Sequence, residues 1–312
     1  MAKIVVTEQI DPVGIALLKA AGHEVAELDM KGGIAVDPAS VKDADALLVR
    51  IVEVTKDLIG NCPNLKLISK HGVGIDNIDM DAAKAKGVAV TIAPGANSTS
   101  VAEHAFAMLI ALAKNLPTVC AKYREIGFGA KNCAPGIEIT GKTLGVIGCG
   151  RIGSRIAKMA RGGFDMKVLA YDPYIAEAPE GVELVADRDR VFAESDFVTL
   201  HSVLNKETEG GVGAREFALM KRGAIFINCG RGPLIDEQAL IDALQSGHLG
   251  GAGLDVTAQE PCPPESPLFA MPNVLLTPHY APTTTEAAAA VSRVAAQNVI
   301  DFFENKPIEG LL

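Results

Sequence analysis

The chain has 312 residues, a formal net charge of −9 and a hydrophobic content of 48%, which is enough for two domains with their own cores. The acidic balance argues against nucleic acid or an anionic membrane surface as a partner. Since no apolar stretch approaches the roughly 20 residues of a membrane span, and the start MAKIVVTEQI resembles a strand rather than a signal peptide, we expect a cytoplasmic protein.

The first third of the chain alternates short aliphatic runs with longer amphipathic stretches. The aliphatic runs at residues 3–7, 46–50, 66–69 and 88–91 are predicted strands, and residues 11–21 and 79–86 are predicted helices. Alternation of strands and helices predicts a parallel sheet with helices on both faces.

The middle of the chain holds two different segments. Residues 98–114 form a predicted helix that is apolar nearly all round, so we expect it to be buried and to support a homodimer. Residues 122–141 contain glycine and proline and are predicted to be an irregular surface segment.

A second series of aliphatic runs then begins. Residues 143–148, 167–172, 197–200, 224–228, 252–255 and 274–277 are predicted strands, residues 152–161 a helix, and residues 283–303 a final alanine-rich helix. This half of the chain is therefore also predicted to be an α/β unit with a parallel sheet.

The six cysteines are not arranged as C-x-x-C pairs. Their spacing favours reduced, mostly buried thiols over disulfides or a metal site, and we predict no metal. Cys229 differs from the others because it lies close to a candidate active-site arginine.

A glycine-rich motif follows the first strand of the second half. Gly148, Gly150 and Gly153, with Arg151 and Ile152 before the last glycine, form G-x-G-x-x-G where a strand turns into a helix. In a dinucleotide site these glycines allow the turn, the approach of the pyrophosphate and close helix packing, while the helix N-terminus faces the phosphates. The alternative is a glycine-rich turn without a ligand.

An acidic residue follows at the distance expected for a ribose contact. Asp172 ends the next predicted strand, and a carboxylate there accepts hydrogen bonds from ribose hydroxyls and repels a 2′-phosphate, which favours NAD over NADP. The alternative is a solvated aspartate at a strand end.

Three later strand ends carry residues suited to hydride chemistry. Arg231, Glu260 and His279 could supply a cation for the substrate, a group that orients the acid/base, and the acid/base itself. Ligands of open α/β sheets bind beyond the carboxyl ends of strands. The spacing alone does not bring the three together, and a single histidine after a strand is more often structural.

The chain resembles the D-isomer-specific 2-hydroxyacid dehydrogenase family, and most closely its phosphoglycerate dehydrogenase branch. The resemblance covers nearly the whole length. The matching blocks, in order, are LLVR (47–50), SKHGVGIDNID (69–79), NSTSVAEH (97–104), GKTLGVIGCGRIG (141–153), LH (200–201), MKRGA (220–224), NCGRG (228–232), GLDV (253–256) and LTPH (276–279).

This resemblance implies a role for each matching residue. It makes His279 the acid/base, Glu260 its hydrogen-bonding partner that stabilises the imidazolium, and Arg231 the group that holds and polarises the 2-oxo acid. The remaining implied contacts are Val101 against the nicotinamide ring, Asp255 at the nicotinamide carboxamide, and the backbone amides of Gly72, Val73 and Gly74 at the substrate carboxylate.

Two cations in the first half suggest a second anionic group on the substrate. Arg50 and Lys70 lie at predicted strand ends, where they could bind a phosphate or another acid; the alternative is a solvated pair. The chain departs from the family pattern at Ile51, Lys131, Val203 and Tyr280. The loop that begins at Tyr280 borders the substrate in the family, so the resemblance does not name the substrate.

The fold expected is α/β, with two doubly wound parallel-sheet domains. A Rossmann-type NAD domain (99–282) would be inserted into a flavodoxin-like substrate domain (1–98 plus 283–312). The predicted function is NAD-dependent interconversion of a small D-2-hydroxy acid, such as 3-phosphoglycerate or glycerate, and its 2-oxo acid. The alternatives are an NAD(H)-sensing interaction protein of the corepressor type, and a dehydrogenase of the formate or phosphite type.

Overall fold

The computed structural model of the chain describes residues 1–28 and 35–312. These residues separate into two compact units. Unit 1 comprises Met1–Asn97 and Thr283–Leu312, and unit 2 comprises Ser98–Pro282. The polypeptide therefore leaves unit 1 once and returns to it for its final helix.

Unit 1 is built on a five-stranded parallel sheet. Its strands are β1 (Lys3–Val6), β2 (Glu24–Glu27), β3 (Ala46–Val49), β4 (Leu67–Lys70) and β5 (Ala89–Thr91), in the spatial order β2-β1-β3-β4-β5. Its helices are α1 (Pro12–Ala20), α2 (Pro38–Val41), α3 (Lys56–Asn61), α4 (Met80–Lys86) and, from the C-terminal segment, α11 (Thr285–Phe303). The strand order 2-1-3-4-5 is that of flavodoxin-like folds, as predicted.

Both faces of this sheet are covered by helices. Alternate side chains of a strand point to opposite faces, and Ile4 and Val6 lie in an apolar cluster with residues of α1 and α11. Val5 lies in a separate cluster with residues of α3 and α4. The continuous aliphatic character of β3, which is buried along its whole length, follows from this two-sided cover.

Unit 2 is built on a seven-stranded parallel sheet. Its strands are β6 (Thr143–Ile147), β7 (Lys167–Tyr171), β8 (Glu183–Leu184), β9 (Phe197–Leu200), β10 (Ile225–Asn228), β11 (Gly251–Leu254) and β12 (Val274–Leu276), in the order β12-β11-β10-β9-β6-β7-β8. Its helices are α5 (Ser98–Ala113), α6 (Leu116–Ile126), α7 (Arg151–Phe164), α8 (Arg188–Glu194), α9 (Ala214–Leu219) and α10 (Glu237–Gln245). Counted within the unit, the order is the 3-2-1-4-5-6 of Rossmann folds with one strand added, which confirms the predicted fold class.

The predicted buried helix is α5. Most of its residues are buried, and Val101, Phe106 and Met108 share an apolar cluster with residues of β6 and α7. The opposite face of the sheet is covered by an apolar cluster that includes residues of α8, α9 and α10.

The segment predicted to be irregular is partly helical, so that prediction was wrong for its first half. α6 extends to Ile126, and a 3-10 helix follows over Gly127–Asn132. α6 has no buried residue and no side-chain N-cap. It therefore lacks the core-facing apolar stripe and the capping residue by which helices are found in a sequence.

No single helix within residues 1–28 and 35–312 is long and apolar enough to cross a membrane. One pair of helical segments, Ser98–Ala113 and Leu116–Asn132, is together long and apolar enough to do so by length and composition alone, but it bends by 54° at the break between them. The first member of that pair is α5, most of whose residues are buried inside unit 2.

Candidate active site

The glycine-rich motif forms a tight turn between β6 and α7. Gly148 has φ = +88°, and a Cβ on it would lie 2.7 Å from the carbonyl carbon of His201. A Cβ on Gly153 would overlap the carbonyl oxygen of Gly148. Each of these two positions therefore requires glycine, for the turn and for the packing of α7 on β6 respectively.

Gly150 has a different reason to be glycine. Apart from its two chain neighbours, a Cβ built on it would meet no atom of residues 1–28 and 35–312 within 4 Å, so its backbone faces open space in the part of the chain that the structure describes. α7 begins at the next residue, Arg151, and Gly150 offers no side-chain cap to the first amides of the helix. An open surface in front of a helix N-terminus whose N-cap has no side chain fits the pyrophosphate of a dinucleotide.

Asp172 follows β7 and is held beside this turn. Its Oδ2 accepts a hydrogen bond from the Cys149 amide at 2.9 Å, and its Oδ1 accepts one from the Tyr174 amide at 2.9 Å. Because each carboxylate oxygen has two lone pairs, these bonds orient the group and leave acceptor capacity for a ribose hydroxyl.

Two cysteines adjoin the nucleotide and arginine motifs. Burial and the charge of Asp172 raise the pKa of the Cys149 thiol to about 11. Burial and Asp255 raise the pKa of the Cys229 thiol further. Both thiols are therefore protonated at neutral pH and unsuited to act as nucleophiles.

His279 and Glu260 are in contact. The Nδ1 atom of His279 lies 2.9 Å from Oε2 of Glu260, and the two side chains are 42% and 41% exposed. The carboxylate thus fixes the orientation of the ring through Nδ1, and Nε2 is the ring nitrogen that does not contact Glu260. The structure brings together the acid/base and the orienting group that the sequence predicted.

The turn that carries His279 is organised by Asp255. Its Oδ1 accepts hydrogen bonds from the Tyr280 amide at 2.7 Å and from the Thr277 hydroxyl at 2.5 Å. Its Oδ2 accepts one from the Ala281 amide at 2.9 Å, and its backbone oxygen accepts one from the His279 amide at 2.7 Å. His279 itself has φ = +52°, a conformation that a non-glycine residue adopts only where its surroundings fix it.

Thr277 and His104 belong to the same network and were not predicted as site residues. The Nε2 atom of His104, on α5, lies 3.1 Å from the Thr277 hydroxyl and 3.7 Å from Oδ1 of Asp255. The signal was present in the LTPH block, where a threonine directly precedes the proline and the candidate acid/base.

Arg231 lies on an anchored loop after β10. The Asn228 side-chain amide donates to the Arg231 carbonyl at 3.0 Å, and Arg231 Nη1 donates to the Gly230 carbonyl at 2.8 Å. A Cβ on Gly232 would overlap the Thr257 carbonyl. The arginine is therefore presented by a loop that packs against the segment after β11.

Val101 is only 5% exposed and packs in the apolar cluster that also contains Cys149, Cys229 and Ala281. Ile152 is partly buried on the first turn of α7. The cofactor contacts predicted for Val101, Arg151, Ile152 and Asp255 remain predictions.

In unit 1, Arg50 is exposed after β3 but Lys70 is not. Lys70 is 8% exposed, and its ammonium donates to the Arg50 carbonyl and to Oδ1 of Asn77, each at 2.5 Å. The Gly72 amide donates to the Lys70 carbonyl at 2.9 Å, with Gly72 at φ = +146°. Lys70 thus holds the protein's own backbone, a role that the sequence did not indicate.

Three of the residues that depart from the family pattern are exposed apolar side chains. Ile51, Val203 and Tyr280 are 57%, 78% and 50% exposed. Ile51 is next to Arg50 and Tyr280 is next to His279, so both adjoin residues predicted to contact substrate.

Comparison with known proteins identifies the family. A model described as the NAD binding domain of D-isomer specific 2-hydroxyacid dehydrogenases matches residues 106–281, more than half of the chain. The D-3-phosphoglycerate dehydrogenase of Methanocaldococcus jannaschii is 42% identical over an alignment of 305 positions, which covers 96% of this chain and 57% of that relative. This chain belongs to the D-isomer-specific 2-hydroxyacid dehydrogenase family.

Solved structures agree with this assignment. The TT0316 protein of Thermus thermophilus superposes with a TM-score of 0.89 at 31% identity, over 99% of both chains. The D-lactate dehydrogenase of Lactobacillus jensenii, determined with NAD⁺, superposes with a TM-score of 0.82 at 30% identity, also over 99% of both chains. The cofactor is NAD, in agreement with the open Gly150 turn and Asp172. The chain spans a little over half the length of the curated relatives it matches.

Proposed function

We propose that the protein is an NAD-dependent dehydrogenase that interconverts a small D-2-hydroxy acid and its 2-oxo acid. The observation that carries the proposal is the contact of 2.9 Å between His279 and Glu260, within the unit that also contains the dinucleotide turn. A histidine paired with a carboxylate is the acid/base that the interconversion of an alcohol and a ketone requires.

In the oxidation, Nε2 of His279 takes the hydroxyl proton as the C–H bond at C2 breaks and its hydride leaves. NAD⁺ supplies the acceptor for that hydride. In the reduction the imidazolium returns the proton to the carbonyl oxygen. Glu260 stabilises the imidazolium in both directions, since its carboxylate accepts the Nδ1 hydrogen bond.

Arg231 polarises the carbonyl at C2 and holds the acid, because a guanidinium binds carboxylate and carbonyl oxygens in a fixed geometry. Three residues were predicted to bind the substrate carboxylate through their backbone amides. Of these, Val73 and Gly74 are the better candidates. Their amides have no hydrogen-bond partner within residues 1–28 and 35–312, whereas the Gly72 amide is bound to the Lys70 carbonyl.

The substrate we propose carries a second anionic group, as 3-phosphoglycerate does. Arg50 is exposed after β3, in the unit that carries Val73 and Gly74. Relatives named D-3-phosphoglycerate dehydrogenase support this choice, at 39–42% identity.

The test is the oxidation of NADH by purified protein with glyoxylate, pyruvate, hydroxypyruvate and phosphohydroxypyruvate, with NADPH as the control cofactor. We expect turnover with NADH and the highest kcat/KM for phosphohydroxypyruvate. His279→Ala should lower kcat by roughly 10²–10⁴-fold, the usual range for a lost acid/base, while NADH affinity changes little. Undiminished turnover in that variant would end the assignment of His279, and preference for NADPH would end that of Asp172.

We also propose a homodimer. Four large apolar side chains on α6 and the 3-10 helix after it are 47–77% exposed, namely Leu116, Tyr123, Ile126 and Phe128, and a second copy of the chain would cover them. Light scattering should give the mass of two chains, and Phe128→Glu should shift it toward one; a monomeric wild type would contradict the proposal. The cytoplasmic location and the lack of nucleic-acid and membrane partners remain predictions of the sequence.

A further inference from the structure

The loop after β3, residues 50–52, is bound by an internal carboxylate. Oε2 of Glu8 accepts a hydrogen bond from the Arg50 amide at 2.8 Å, and Oε1 accepts bonds from the Ile51 amide at 2.5 Å and the Val52 amide at 3.1 Å. The Thr7 hydroxyl donates to Oε2 as well, at 2.7 Å. Successive amides that converge on one anion form the same arrangement as a phosphate-binding nest, but here the anion belongs to the protein.

The carbonyl groups of this loop are bound from the other side. Lys70 Nζ donates to the Arg50 carbonyl at 2.5 Å, and the side-chain Nδ2 of Asn77 donates to the Val52 carbonyl at 2.6 Å. Lys70 and Asn77 also contact each other at 2.5 Å. Since these two residues stand on either side of Val73 and Gly74 in the sequence, the contacts fix the Arg50 loop to the segment whose amides we assign to the substrate carboxylate.

We infer that Glu8, Lys70 and Asn77, which we call the Arg50 clamp, position Arg50 so that the protein selects substrates with a second anionic group. The inference rests on the proposed function, which places the carboxylate at Val73 and Gly74. Lys70 acts through Arg50 and does not bind substrate directly. The clamp sets the distance between the amides of Val73 and Gly74 and the guanidinium of Arg50. That distance decides which acids can place their carboxylate at the amides and their second anionic group at the guanidinium.

The clamp depends on charge as well as shape. Hydrogen bonds from amides to a carboxylate are charge-assisted and about twice as strong as neutral ones. In Glu8→Gln one acceptor oxygen becomes an NH₂ group, which cannot accept from an amide and faces one as a second donor. The loop then loses part of its support while the Arg50 side chain is unchanged.

The experiment compares hydroxypyruvate with phosphohydroxypyruvate, which share the 2-oxo acid and differ by the phosphate. The quantity measured is the ratio of kcat/KM for the phosphorylated to the plain acid, in wild type, Arg50→Ala, Glu8→Gln and the double variant. Arg50→Ala should lower this ratio about 10–100-fold, in line with about 1.5–3 kcal/mol for a hydrogen bond to a charged group. Glu8→Gln should lower it about 3–10-fold through KM, and the double variant should be no worse than Arg50→Ala.

Lys70 gives a second, independent reading. Lys70→Met should lower the same ratio in the wild-type background and leave it unchanged in the Arg50→Ala background, while Lys70→Arg should restore part of it. Glu24→Gln, an exposed glutamate of β2 in the same unit, is the matched control and should leave the ratio unchanged. Additive losses, or equal losses for the two acids, would overturn the inference.

The two proposals fail in different ways. If no 2-oxo acid is turned over, the proposed function fails. The clamp is then tested by calorimetry, as the ratio of the affinities for D-3-phosphoglycerate and D-glycerate. Loss of the phosphate preference in Glu8→Gln supports the clamp there as well. Equal wild-type affinity for these two acids would overturn it.

Discussion

Two loops of this protein are held in the same way, and one lies in each unit. Residues 50–52 follow β3 and donate their amides to Glu8, which follows the neighbouring strand β1. Residues 277–281 follow β12 and donate amides to Asp255, which follows the neighbouring strand β11. In both cases a carboxylate at one strand end fixes the loop after the adjacent parallel strand, the edge at which such folds bind ligands.

The two carboxylates differ in exposure and in what they hold. Asp255 is 1% exposed and fixes a turn in which His279 has a left-handed backbone. Glu8 is partly exposed and fixes a loop without any residue of positive φ. If Glu8 is lost, water can accept hydrogen bonds from some of the amides that now donate to it. A buried amide that loses Asp255 has no such replacement and stays unsatisfied. We therefore expect the turn of His279 to be much less tolerant of substitution.

The largest effect should come from Asp255→Asn. The amide group can accept only through its single oxygen, so the Tyr280 or Ala281 amide would face a second donor. We expect kcat to fall at least about 100-fold, because a small displacement of a catalytic group has that cost. The free energy of unfolding, measured in urea, should fall by about 1–3 kcal/mol for the buried unsatisfied amide.

The control is Asp242→Asn, an exposed aspartate of α10 in the same unit, which should change neither quantity. NADH affinity, measured by fluorescence, separates two roles of Asp255. A loss confined to NADH binding would show that Asp255 acts on the cofactor alone. The claim that Asp255 fixes the turn of His279, as Glu8 fixes residues 50–52, would then be wrong.

The sequence predicted each unit's fold from local pattern, and the contact between Glu260 and His279 from the resemblance to the family. The Gly148 motif had a strand before it and a helix after it, and His279 closed the LTPH block. The clamp of Glu8 on residue 50 was not predicted, since it joins residues about forty positions apart. That contact exists only because the strand order places β1 beside β3, and no periodicity in the sequence encodes strand order. α6 was missed because it contributes nothing to the core.

A smaller effect should follow from Thr277→Val, which keeps the shape of the side chain but removes the hydroxyl between His104 and Asp255. Asp255 retains its two amide donors, from Tyr280 and Ala281. The turn should therefore keep its conformation but be held by one hydrogen bond fewer. We expect kcat to fall about 3–10-fold and the unfolding free energy by about 1 kcal/mol, the usual net value of one hydrogen bond. His104→Gln, which can still hydrogen-bond Thr277, should lose less than His104→Phe; equal losses would show that His104 acts by packing alone.

The smallest effect at neutral pH concerns a second pair, one histidine from each unit. Burial lowers the pKa of His201, beside the Gly148 turn, to about 4, and burial with the nearby Arg50 charge lowers that of His71 to about 4. In the unfolded chain both have a pKa of about 6.5. Below that value the unfolded chain therefore binds more protons than the folded protein, so stability is complete above pH 6.5 and falls as the pH falls toward 4.

His201→Asn and His71→Asn should each make the unfolding free energy less dependent on pH between 6.5 and 4. Each wild-type histidine lowers the free energy of unfolding by up to about 2 kcal/mol at pH 5 relative to pH 7.5, because a difference of one pKa unit between the folded and unfolded states corresponds to about 1.4 kcal/mol. The two should still differ. Each ring contacts a hydroxyl through Nε2 at 2.8 Å, His71 that of Ser292 and His201 that of Thr199. Nδ1 of His201, however, is buried without a hydrogen-bond partner in the part of the chain that the structure describes, and such an atom costs free energy in the folded state. His71→Asn should therefore be the more destabilising at pH 7.5, because it removes no unsatisfied atom of this kind, and urea titrations at pH 7.5, 6 and 5 would show it; the opposite order would mean that packing of the His201 ring outweighs the cost of its unsatisfied Nδ1.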